Sequence, residues 1–239
     1  MNDKKNAIIT GLFFIGATVT AIIGLKLYDP ILVQPDFIQN GAKYTVQLIW
    51  GAVFELILVC TASGTAIMLS PYLRKYSEQL GLGYLCFRLL EAIIILIGIV
   101  AMLSIVTLSN SFINESSPDL PSYQAAGIIA KAIHDWTFIL GPLFMLGINT
   151  FIYNYVFLKT DLIPKQLALA GIVGAIVVFS SSLLVMFGII QMASTIQILM
   201  AIPIAVYEMV LAGWLIAKGF NLSFQKHFPL SEATRRIQK

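Results

Sequence analysis

The stretch FRLLEAIIILIGIVAMLSIVTLS, residues 87–109, decides how the rest of the chain is read. Its two charged residues, Arg88 and Glu91, stand near one end, and almost everything after them is apolar. At about 1.5 Å per residue, a helix of this length covers a hydrocarbon core of about 30 Å. A membrane-spanning strand would be only about ten residues long and would alternate apolar with polar positions. This run does neither. Lipid offers the backbone no hydrogen-bond partners, so a helix that satisfies its own amides is the structure left.

Five further runs of the same kind lie on either side, at about 7–27, 46–70, 132–158, 167–190 and 198–217. Pro71 and Pro164 stand at natural boundaries, where proline ends a helix or opens its first turn. Composition agrees with the count. Hydrophobic residues make up 58% of the chain and charged residues 11%, with a mean hydropathy of +0.87. A soluble domain carries about 25% charged residues, so this chain lacks the polar surface to coat a water-soluble fold. The expected fold is all-α: one transmembrane domain over 1–239, built as an integral membrane six-helix bundle. The run after Lys4 and Lys5 is longer than the apolar part of a signal peptide, and no small-residue cleavage site follows it. It reads as a retained first span.

Basic residues set the expected orientation. With the N-terminus inside, the cytoplasmic set is Lys4, Lys5, Arg74, Lys75, Arg88, Lys159, Lys165, Lys218, Lys226, Arg235, Arg236 and Lys239. Only Lys26, Lys43 and Lys131 stay outside, so both termini are expected in the cytoplasm. The basic tail reads first as a topology determinant, with anionic headgroups as a further contact. The longest loop, about 110–131, is external, and Tyr123 to Ala132 suggest an interfacial helix leading into the fourth span.

Charged groups near the membrane centre cost about 2.5–3.5 kcal/mol each on insertion scales, so the few present carry the functional information. Counting from the expected helix starts, Glu55 and Glu208 come out at a similar depth, roughly 13 Å in. Were their helices neighbours, the two carboxylates would face each other, and like charges in a dry site do not both ionise easily. Such a pair suits proton or cation handling. The plainer reading is one carboxyl per helix, hydrogen-bonded to a neighbour. Arg88 and Glu91 are three apart, share a helix face and can pair within the helix. A packing role, or Arg88 snorkelling to the headgroups, competes with ligand binding there. His134 and Asp135 open the fourth span near the outer surface. Adjacent helical residues point about 100° apart, so no direct bond between them is expected. Pro142 and Pro203 interrupt the ladders of spans four and six, freeing carbonyls near Phe138 and Leu199. Asn149, Tyr153, Asn154 and the run Ser180 to Ser182 suggest a polar seam, for which interhelical hydrogen bonding is the sober account. Trp50 and Trp214 fit the interfacial aromatic belt.

Other chemistries find no support. The histidines, His134 and His227, fall far apart, so no bis-histidine haem site is expected. Glu55, Glu208 and His134 lack metal-ligand spacing, and no metal or other cofactor is expected. Cys60 and Cys86 form neither a disulfide framework nor a redox pair. No phosphate-binding loop, HExxH helix or GxSxG elbow occurs.

Several landmarks occur in order: Leu27-Tyr-Asp-Pro-Ile-Leu32, Gly51-Ala-Val-Phe-Glu55, Leu69-Ser-Pro-Tyr-Leu-Arg74 and Leu82-Gly-Tyr-Leu-Cys-Phe-Arg-Leu-Leu-Glu91. Later come Leu162-Ile-Pro-Lys-Gln-Leu-Ala168, Pro203-Ile-Ala-Val-Tyr-Glu208 and Trp214-Leu-Ile-Ala-Lys-Gly-Phe220. Over nearly its whole length the chain resembles the bacterial membrane family known as the DUF4386 domain, a domain of unknown function. The resemblance implies a multi-pass protein of the bacterial inner membrane and brings no activity, ligand or catalytic residue.

Three classes of function follow. The first is binding or transport of a small polar or cationic ligand, or of protons, with Glu55, Arg88, Glu91, Glu208, His134, Asp135 and Asn149 as candidate ligand-binding residues. The second is a non-transporting sensor or assembly partner, in which the buried charges serve assembly alone. The third, an enzyme acting on lipid-like substrates, needs His134 and Asp135 to face a pocket open to one leaflet. It ranks last, because no nucleophile–base constellation is visible. The expected partners are the lipid bilayer and a small-molecule or ion ligand. Nucleic acid is not among them, and the sequence names no protein partner.

Overall fold

The structure is a computed structural model and describes residues 3–221. It is helical nearly throughout, with no strand among the described residues. The elements are α1 (Asp3–Leu27), α2 (Asp29–Leu32), α3 (Phe37–Gly41), a 3-10 turn (Ala42–Tyr44), α4 (Thr45–Tyr76), α5 (Glu78–Asn114), α6 (Leu120–Phe138), a π-helical segment (Ile139–Met145), α7 (Leu146–Thr160), α8 (Lys165–Met186) and α9 (Thr195–Ala217). Among the described residues six helices are long and apolar enough to cross a membrane, with α6, the π segment and α7 forming one of them. The chain is a multi-pass membrane protein.

Several helix ends differ from expectation. Pro71 does not end α4, which continues to Tyr76. The hydrogen bond a proline forfeits is one of many, and the adjoining Leu69, Tyr72 and Leu73 are buried. α5 begins at Glu78, so Arg88 lies ten residues in and is not at the helix entrance. The helix expected around Tyr123 is the first part of α6 and runs on without a break into the fourth span. Hydropathy marks only the length that lipid requires, whereas the backbone ladder continues past it. Pro142 widens its helix over seven residues into π geometry, which relieves the clash between its ring and the preceding turn. The basic tail, with Lys226, His227, Arg235, Arg236 and Lys239, lies outside the described residues.

The spans run up and down, and each packs on the next in sequence: α1 on α4, α4 on α5, α5 on α6 and α7, α7 on α8, α8 on α9. α9 then packs on α1, which closes a ring. The end where α1 begins is here the proximal end, and the opposite end the distal one. Hydrophobic burial does not drive helices together in lipid, so close backbone approach has to. Small residues supply it. A Cβ on Gly11 of α1 would stand 2.8 Å from the Ala212 carbonyl oxygen of α9, and one on Gly64 of α4 would stand 2.6 Å from the Phe13 ring. Side chains such as Ile22, Ile67, Ile93, Val100, Val173 and Val206 are exposed on the helices, as contact with lipid tails requires.

Aromatic residues fill the proximal half of the ring. Tyr153 lies 5.9 Å from Phe14, 5.7 Å from Tyr84 and 5.4 Å from Phe157 between ring centroids. The distal half is roofed by α2 and α3, which bury Tyr28, Ile31, Phe37 and Ile38 against Met102, Ile105, Val106 and Ala130. Ser109 Oγ donates to the Ile38 carbonyl at 2.6 Å, and Gln47 Nε2 to the Leu27 carbonyl at 3.0 Å, which fasten this roof to the helices below. Cys60 and Cys86 are free and exposed.

Candidate functional site

The expected pair on α5 forms inside the ring. Arg88 Nη1 donates to Glu91 at 2.9 and 3.1 Å, and both side chains are only 4% exposed. Arg88 is therefore buried and does not snorkel. The pair is held from two further helices. Arg88 Nε donates to Thr65 Oγ1 at 3.3 Å and to the Ala62 carbonyl at 3.4 Å, both on α4. Asn149 Nδ2 of α7 donates to Glu91 Oε2 at 2.6 Å. Tyr84, one turn before Arg88, donates its hydroxyl to the same Thr65 Oγ1 at 3.4 Å.

Glu208 reaches this centre from α9. It is buried, and its Oε2 accepts a hydrogen bond from Thr18 Oγ1 of α1 at 3.0 Å. Its charge interacts with Arg88, Glu91, Tyr84 and Tyr153. Five helices, α1, α4, α5, α7 and α9, thus aim polar groups at one place. With all three groups ionised, the centre holds two carboxylates and one guanidinium, leaving one negative charge in excess. The Tyr153 and Thr150 hydroxyls neighbour each other, whereas at this centre Glu208 Oε1 and Asn149 Oδ1 are buried and find no hydrogen-bond partner among the described residues. Such atoms are rare in folded proteins and call for an explanation. The next layer is saturated: Tyr207 donates to Asn154 Oδ1, and Asn154 Nδ2 to the Thr150 carbonyl at 2.9 Å.

A second cluster sits nearer the distal end. Glu55 of α4 is buried beside Gly24 of α1, where an added Cβ would stand 2.9 Å from the glutamate Cγ. The Tyr28 hydroxyl and the His134 ring are its polar neighbours. The Tyr28 and His134 rings meet edge to face, 5.6 Å apart. His134 is buried fourteen residues into α6, not at the start of that helix. Its Nδ1 lies 3.4 Å from Asp135 Oδ1, although no direct bond between the two was expected. Adjacent Cα–Cβ directions do diverge by about 100°, but Nδ1 is the ring nitrogen closest to the main chain, within reach of a neighbour that bends back.

The structure also separates what the depth count placed level. Glu55 lies beside Gly24 and Glu208 beside Thr18, six residues apart on α1 or about 9 Å. α1 packs between α4 and α9, so the two carboxylates belong to different clusters. Counting from helix starts assumed a common plane that the roof at the distal end does not provide. Thr18, Thr65, Tyr84 and Tyr28 are site residues that the sequence did not single out. Tyr84, Arg88 and Glu91, at i, i+4 and i+7, carried a usable signal; the threonines carried none.

A lateral groove of about 270 Å³ between α7 and α8 is lined by Gly147, Ile148, Phe151, Ile152, Ala175, Ile176 and Phe179. It includes neither His134 nor Asp135. A cleft of about 640 Å³ opens at the proximal end beside Asp161, Lys165 and Trp214, away from the buried charges.

The sequence model of a family described as a domain of unknown function, DUF4386, matches residues 9–219, and the chain belongs to that family. No curated protein and no solved structure matches it.

Proposed function

We propose that this member of the family works in a bacterial inner membrane with both termini cytoplasmic, and that it binds or transports protons or a small cation at the centre formed by Arg88, Glu91 and Glu208. One observation carries the reading: a second buried carboxylate, Glu208, lies within electrostatic reach of the buried Arg88–Glu91 pair and keeps one oxygen without a hydrogen-bond partner among the described residues. A pair retained for structure alone would be complete without Glu208. Arg88 and Glu91 neutralise each other and are hydrogen-bonded by Thr65, Ala62 and Asn149. Glu208 adds a third charged group to a dry ring, at an insertion cost of about 2.5–3.5 kcal/mol, and recovers one hydrogen bond from Thr18.

One proton or one monovalent cation at Glu208 Oε1 would balance the charge. An anion would meet two carboxylates and is disfavoured. Both atoms left without a hydrogen-bond partner here among the described residues, Glu208 Oε1 and Asn149 Oδ1, are oxygens, which suits a hard cation or a proton carried with water.

Glu208→Gln tests the reading, because the amide keeps the shape and still accepts from Thr18. Purified protein in liposomes is assayed for proton, sodium and potassium flux with ion-sensitive dyes. A loss on the order of tenfold or more is expected, with an unchanged unfolding transition. Flux or ion-dependent stabilisation equal to that of the wild type would exclude the centre as the binding site and favour the sensor or assembly reading. The orientation has its own check. A fluorescent protein fused to the C-terminus should fluoresce in a bacterial host, and a periplasmic phosphatase fused there should stay inactive. The reverse pattern would overturn the topology.

A further inference from the structure

The distal cluster contains a graded series of titratable groups that the central site does not use. Asp135 is the outermost, with its side chain 30% exposed. His134 comes next, buried, its Nδ1 3.4 Å from the aspartate. Glu55 is also buried, and the imidazole and the Tyr28 hydroxyl are its polar neighbours. Tyr28 is fully buried, and its hydroxyl is turned to the Glu55 carboxylate. Lys131, one turn before His134, turns its charge away: its Nζ donates to the Leu32 carbonyl at 2.7 Å and lies over the Phe37 ring. The groups facing His134 are therefore Asp135 on its own helix, Glu55 on α4 and Tyr28 ahead of α2.

The series stops inward of Glu55. Ala17, Ala52, Leu58, Ile95 and Ile99 form a buried apolar cluster contributed by α1, α4 and α5. Leu58 stands between Glu55 and Ala62 along α4, and Ile95 and Ile99 stand on α5 beyond Glu91 toward the distal end. Ala52 lies on the distal side of Glu55, so Leu58 and Ile95 are the members that stand between the level of Glu55 and that of the Arg88 centre. Apolar constrictions of this kind block ions by excluding water.

We propose that Asp135, His134 and Glu55 form a proton port that loads Glu55 from the distal aqueous phase, with the apolar cluster as its inner barrier. Asp135 takes a proton from water. The imidazole accepts that proton at Nδ1 and releases the one on Nε2 through an intervening water to the Glu55 carboxylate; a ring flip or tautomer exchange then resets it. The Tyr28 hydroxyl supplies the protonated or ionised Glu55 with a hydrogen-bonding neighbour in either state. Imidazole fits this place because one ring nitrogen can accept a proton while the other donates one. The port is separate from the central site, and its test reads Glu55, not Glu208.

The test is time-resolved infrared spectroscopy after a pH jump, on the full chain in lipid. The carbonyl band of protonated Glu55 is identified as the band lost in Glu55→Gln. In His134→Ala this band should appear slower by on the order of 10²-fold, and free imidazole in the buffer should restore the rate. Asp135→Asn, a partly exposed and isosteric change, should also slow the band and should not be rescued by imidazole. Three results would overturn the port: no band assignable to Glu55, an unchanged rate in His134→Ala, or slowing in His134→Ala without imidazole rescue while Asp135→Asn behaves as wild type. Should His134→Ala fail to fold, the Asp135→Asn rate alone decides.

Discussion

Arg88→Met is expected to cost the fold about 3–5 kcal/mol, the usual penalty for removing one partner of a buried ion pair. The guanidinium is the cation against which both Glu91 and Glu208 are set. Without it Glu91 retains only the Asn149 amide, and Glu208 only the Thr18 hydroxyl. Thr65 Oγ1 and the Ala62 carbonyl lose the Nε donor as well. The double variant Arg88→Met, Glu91→Met should recover most of the loss, because two apolar side chains of similar length fill the same space and leave no bare charge. Chemical unfolding in detergent of the wild type, both single variants and the double gives the coupling energy directly. A double variant as unstable as the sum of the singles would mean that the pair contributes little by pairing, and would weaken the case that charge balance governs this centre. Arg88→Lys should fall between the extremes. It keeps the charge, but an ammonium cannot reproduce the guanidinium fork that reaches Glu91 and α4 together.

The sequence was most informative where a single helix decided the matter. Runs of about twenty apolar residues required six spans, and a spacing of three placed Arg88 and Glu91 on one face. It was least informative where the answer depended on which helix stands beside which. Thr18 and Thr65 supply hydrogen bonds across helices, yet Thr20, Thr61 and Thr107 look the same in sequence and bond to carbonyls of their own helices. Nothing local distinguishes the two uses, because a hydroxyl in an apolar run must bond somewhere and its own i−4 carbonyl is always within reach. The separation of Glu55 from Glu208 is of the same kind. It follows from α1 lying between their helices, and α1 itself carries no charged residue at either level. Pro142 announced an irregular helix but not its form. The π segment sits where Gly141 lets α5 approach, an added Cβ there standing 3.2 Å from Ile94 and 3.5 Å from the Glu91 carbonyl. The widened turn thus lies against the charged stretch of α5, two turns before Asn149.

Gly11→Ala is expected to destabilise the ring by about 1–3 kcal/mol, the cost of forcing one extra methyl into a closed contact, and Gly11→Leu by more. The added Cβ would stand 2.8 Å from the Ala212 carbonyl oxygen and 2.8 Å from Ile216 Cγ1. The isoleucine can turn aside, but the carbonyl oxygen belongs to the backbone of α9 and moves only with that helix. Ala212 lies one turn from Glu208, and Thr18 lies two turns from Gly11, so the same faces of α1 and α9 carry the Thr18–Glu208 hydrogen bond. Prising them apart should weaken that bond and with it any ion flux that depends on Glu208. Gly213→Ala is the matched comparison: it makes the same chemical change in α9, where the new Cβ has nothing within 4 Å. There the gain in helix propensity is unopposed, and stability should be unchanged or higher by up to about 1 kcal/mol. Thermal unfolding of the two variants separates backbone contact from propensity. If Gly11→Ala behaved like Gly213→Ala, α1 and α9 would not be in contact at that level, the ring would be open between them, and Glu208 would face lipid instead of Arg88.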